Sequence, residues 1–122
     1  MAMKLLVPSL LLAITLPAHA VERVTIRVSP SVSFAPANLF VRATVNANAE
    51  NRSLEIIAES SDFYRSSEVT LDGDRAPKVT LLQFKSLPGG DYDVRAVLRG
   101  SAGRELASTQ TTVNIIGDRE EN

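Results

Sequence analysis

The chain has no cysteine, no tryptophan and a single histidine, His19. Without cysteine there is no disulfide, no thiol nucleophile and no thiolate metal ligand. His19 falls in an N-terminal segment that reads as a leader, so the remainder of the chain has no imidazole. Ser-His-Asp and Cys-His nucleophile systems and His-ligated zinc are thereby excluded from that remainder. An excess of charge of either sign is also missing, with 13 Lys and Arg against 14 Asp and Glu. A nucleic-acid binder needs a basic face, and the interspersed charges supply none, so no nucleic-acid partner is expected. Lysine is scarce beyond the leader, where only Lys78 and Lys85 occur. No second long apolar run follows the first sixteen residues.

The N-terminal segment has the three parts of a secretory signal. Lys4 is the positive start, Leu5 to Leu16 the apolar stretch, and Ala18-His19-Ala20 a small-x-small cleavage site. The apolar stretch is shorter than the roughly 20 residues a membrane span requires. Residues 1–20 are therefore read as a signal peptide, residues 21–117 as one domain and residues 118–122 as a polar tail. The expected location is extracytoplasmic, periplasmic or secreted, with no membrane insertion after cleavage.

The remainder of the chain alternates with period two, the mark of half-buried strands. Val24, Ile26 and Val28 alternate with Thr25 and Arg27. Leu39, Val41, Ala43 and Val45 alternate with Phe40, Arg42 and Thr44. Further alternation runs through Leu54 to Glu59, Phe63 to Leu71, Val79 to Lys85, Tyr92 to Leu98 and Arg104 to Ile116. Residues 29–36, broken by Pro30 and Pro36, read as a kinked connection carrying Val32 and Phe34. Asp72-Gly73-Asp74, Pro88-Gly89-Gly90 and residues 100–103 are turn signals. About seven antiparallel strands and no helix predict an all-β sandwich.

One stretch has residue-level detail. Leu87-Pro88-Gly89-Gly90-Asp91-Tyr92, followed by Val94 and Ala96, resembles the corner before strand F of immunoglobulin-like and fibronectin type III-like domains. The resemblance implies an immunoglobulin-like β-sandwich in which Tyr92 is a structural tyrosine corner, set by Leu87 and Gly90. The antibody type would carry two cysteines and a core tryptophan. Their absence leaves the fibronectin-like and secreted bacterial immunoglobulin-like groups as the closer match.

Candidate chemistry is sparse. Asp72 and Asp74 flank Gly73 and offer oxygens to calcium, but the residues are also those of a plain hairpin turn. Asp91 and Asp93 share a strand face, as an acid–base pair would, yet their alternation with Tyr92 and Val94 places them towards solvent. Phe63, Tyr64 and Arg65 form an aromatic–Arg cluster of the kind that binds partners or stacks on sugars. One of the two rings must point inward. Phe40 is a second outward aromatic, with the segment around Val32 and Phe34 as its expected cover. The resulting expectation is a module that is not an enzyme, uses no cofactor or metal, and binds a protein or envelope partner through loops or a sheet edge. Carbohydrate binding and a structural role in an envelope assembly are the alternatives.

Overall fold

The computed structural model describes residues 22–117. The leader and tail readings lie outside the described residues. Eight strands and two short 3-10 turns follow one another, with no α-helix among the described residues. The strands are β1 (Val24–Ser29), β2 (Val32–Phe34), β3 (Ala37–Val45), β4 (Ser53–Glu59), β5 (Tyr64–Thr70), β6 (Val79–Leu87), β7 (Gly90–Arg99) and β8 (Glu105–Ile116). They form a three-stranded sheet in the order β1-β3-β6 and a five-stranded sheet in the order β2-β8-β7-β4-β5.

Alternation explains the core. β3 is buried at every second residue from Ala37 to Val45, and β7 turns Tyr92, Val94, Ala96 and Leu98 inward. Leu39, Leu54, Ile56, Leu87 and Leu98 are wholly buried between the sheets. Removing such a side chain to Ala costs about 2–5 kcal/mol, because the lost transfer energy is joined by a cavity term. The two sheets therefore hold together through their inner rows.

The structure corrects three expectations. There are eight strands, because residues 32–34 within the supposed connection form β2. β2 pairs parallel with β8, so the fold is not purely antiparallel. After β1 in the small sheet, the chain crosses at Pro30 and joins the far edge of the large sheet in the same direction as β8. The turn at Gly73–Arg75 is no hairpin either, since β5 and β6 lie in different sheets. It hands the chain from one layer to the other. Gly73 has φ of 57°, and a Cβ there would sit 3.2 Å from the Ala49 carbonyl, so only glycine fits without strain.

The loops sort to two ends. At one, the backbone N–H of Gly73 donates to Asn51 and that of Arg52 to Arg99, gathering three connections. Buried Asn51 ties this end further, its Nδ2 donating to the Asn46 carbonyl. At the other end, the Tyr92 hydroxyl donates to the Pro88 carbonyl at 2.7 Å. Gly90 approaches Ser60 so closely that a Cβ would lie 3.1 Å from the serine side chain. Burial pushes the Tyr92 phenol above its ordinary range, while Ser60 and the Arg65 guanidinium pull the other way.

Candidate functional site

The outward rows of β1, β3 and β6 follow from register. Ser29, Phe40 and Gln83 lie side by side, then Arg27, Arg42 and Leu81, then Thr25, Thr44 and Val79. Alternation adds Asn38 and Lys85 to the same face. No Asp or Glu occurs among these residues. Phe40 is 54% exposed and Leu81 72% exposed. Phe34 and Val32 do not cover Phe40, contrary to expectation: they belong to β2, on the other sheet, and are themselves exposed.

Two features of this face are unusual for a solvated surface. Arg27 and Arg42 are direct cross-strand partners. Like charges in that position repel and destabilise the pairing. Neither makes an ion pair with any described residue. The face is also concave. A hollow of about 490 Å³ is lined by residues that include Arg27, Ser29, Phe40, Arg42, Leu81 and Gln83. Its lining thus combines two apolar side chains, two cations and the polar Ser29 and Gln83.

The aromatic–Arg cluster has a different setting. Phe63 packs against the core, with its ring edge-on to Tyr92 at 6.4 Å between centroids. The Arg65 guanidinium lies 5.0 Å above the Phe63 ring and donates to the Lys85 carbonyl at 2.7 Å. That bond crosses from β5 to β6 and so links the two sheets. Tyr64 stays exposed. The strand alternation already required one ring inward; Arg65 follows it to close the sandwich edge.

The carboxylate pairs are also placed. Asp91 and Asp93 are exposed on β7, and Asn114 Nδ2 donates to Asp91 Oδ1. Asp72 precedes the crossing turn, Asp74 lies within it, and both are exposed. Among the described residues no group of three or more His, Cys, Asp or Glu is gathered where it could hold a metal ion.

Sequence reasoning singled out Phe40 but missed Arg27, Arg42 and Leu81. The only available signal was their outward phase on three separate strands. Their meeting depends on a register that joins residues 15 and 39 positions apart, from 27 to 42 to 81.

No family model and no curated protein matches the chain. Solved structures do share its architecture. Superoxide reductase (neelaredoxin) from Ignicoccus hospitalis matches with a TM-score of 0.61 at 12% identity, over 77% of this chain and 80% of that one. A variant of the same reductase matches with a TM-score of 0.56 at 13% identity, over the same shares of the two chains. A family 76 glycoside hydrolase from a bovine Bacteroides thetaiotaomicron strain gives a TM-score of 0.56 at 14% identity, over 79% of this chain and 21% of that one. These likenesses establish the all-β fold. They also overturn the expectation that the chain is not an enzyme, because this architecture serves a reductase. The expectation rested on missing side chains, whereas a sandwich presents faces and loops on which many kinds of chemistry are mounted.

Proposed function

We propose that the protein is an exported immunoglobulin-like module that binds its partner on the outer face of the β1-β3-β6 sheet. The leader pattern supports export. The strand orders β1-β3-β6 and β2-β8-β7-β4-β5, together with the Tyr92 to Pro88 bond, support the immunoglobulin-like reading. One observation carries the binding surface: Phe40 and Leu81 stand exposed around two opposed arginines on a face without a carboxylate. Exposed apolar groups rimmed by charge mark interaction sites.

Photo-crosslinking in the producing cell tests the reading. A benzoyl-phenylalanine is placed at Phe40 or Leu81 and, for comparison, at Glu68 or Thr112 on the outer face of the large sheet. Adducts are expected from the first two positions, and they should disappear when Arg27→Gln and Arg42→Gln are added. Equal labelling of both faces, or labelling only from Glu68 and Thr112, would remove the basis for the proposal.

A further inference from the structure

We infer that the hollow on the β1-β3-β6 face binds a small amphiphilic anion: a carboxylate, sulfate or phosphate carried on an apolar body. The inference rests on the binding face proposed above and names its occupant. The first support is the arginine pair. Arg27 and Arg42 are exposed cross-strand partners with no carboxylate on their face. An anion seated between them converts a repulsion into two charge-assisted contacts. Guanidinium groups present a planar fork that matches carboxylate and phosphate oxygens.

The second support is what borders the pair. Leu81 lies directly across from Arg42, and Phe40 stands two residues before Arg42 on the same strand face. An anion held by the arginines therefore has apolar surface on two sides, where its body lies. Ser29 and Gln83 close the row beside Phe40 and supply neutral hydrogen-bonding groups.

The third support is size. A hollow of about 490 Å³ falls within the roughly 300–1,000 Å³ typical of small-molecule sites. Three strands span only about 10 Å between their outer axes. A stable protein partner covers roughly 800 Å² of each surface, many times what the lining of this hollow exposes. The size of the hollow favours a small ligand over a macromolecule.

The purified protein, titrated with decanoate, decyl sulfate or decyl phosphate below micelle-forming concentrations, tests the inference. Calorimetry reads affinity and amide NMR shifts read location. Saturable binding at one site is expected, with shifts confined to β1, β3 and β6. Acetate, which lacks the body, and decyltrimethylammonium, which has the wrong charge, should bind at least about tenfold more weakly. Arg42→Gln and Leu81→Ser should each weaken decanoate binding by about tenfold or more, while Arg95→Gln on the large sheet leaves it unchanged. Decyltrimethylammonium binding as well as decanoate, or shifts spread over both faces, would overturn the inference. So would silence towards all three amphiphiles. Silence with crosslinking from Phe40 intact, or with polyglutamate shifting the same amides, refutes the ligand class and leaves the binding face standing. Silence with no crosslinking from that face removes both.

Discussion

The two outer faces of the sandwich are built from the same alternation, yet they finish differently. On the large sheet, Ile57 and Val97 point outward but are only 5% and 3% exposed. Charged and polar neighbours shelter them. Arg95 stands across from Ile57 and Glu55 across from Val97. Arg95 reaches Glu59 at 3.7 Å and Arg99 reaches Glu55 at 3.1 Å. Long side chains so placed can cover aliphatic neighbours with their apolar stems while their heads pair. The small sheet does the reverse: its apolar groups stay open and its arginines face each other. One surface pairs its charges and covers its aliphatic residues, and the other leaves both open. The proposed binding face rests on this contrast more than on any single residue.

The largest expected effect separates the faces by stability. Val97→Asp places a carboxylate in a sheltered position across from Glu55 and should destabilise the fold by about 3 kcal/mol in urea unfolding. Leu81→Asp, on the open face, should change stability by less than about 0.5 kcal/mol. Similar losses at both positions would erase the distinction.

Next comes a change in the core that serves both faces alike. Tyr92→Phe removes the bond to Pro88 and should cost about 1.5 kcal/mol. It also has a pH signature. The folded state holds the phenol proton more tightly than the unfolded chain, whose value is near 10.0. The folded form therefore binds more protons above that pH, and stability should fall as pH rises through and beyond it. Tyr92→Phe should flatten this alkaline decline, as read from unfolding at pH 8 to 11.

The smallest effects concern charge, and they should have opposite signs on the two faces. Arg42→Glu replaces a repulsion with an attraction to Arg27 and should raise stability by about 0.5 kcal/mol at low salt. Arg99→Gln removes a partly exposed ion pair and should lower it by about 0.5 kcal/mol. Added salt should shrink both differences. If Arg42→Glu destabilises, the arginine pair is already satisfied within the fold and the open face loses its argument.

The inward rows were legible in the sequence, because a period of two in β3, β7 and β8 needs no knowledge of neighbours. β2 was not, since a three-residue strand between two prolines is too short to show a period. Phe63 and Arg65 show a further limit. An aromatic beside an arginine in a serine-rich turn has the composition of a surface tip, and only the position of Tyr92 and Lys85 reveals what the pair touches. The hollow was the least legible feature. Its four principal side chains come from three strands in separate parts of the chain.

The bond from Arg65 to the Lys85 carbonyl has a mechanical meaning. The sandwich resembles a clamshell, with β1 lying against β8 along one seam and this guanidinium as a latch at the other. β6 is the shell rim that bears the latch, and it also carries Leu81 and Gln83, one wall of the hollow. The edge strand that borders the hollow is thus tied to both layers, through its pairing with β3 on one side and through Arg65 on the other.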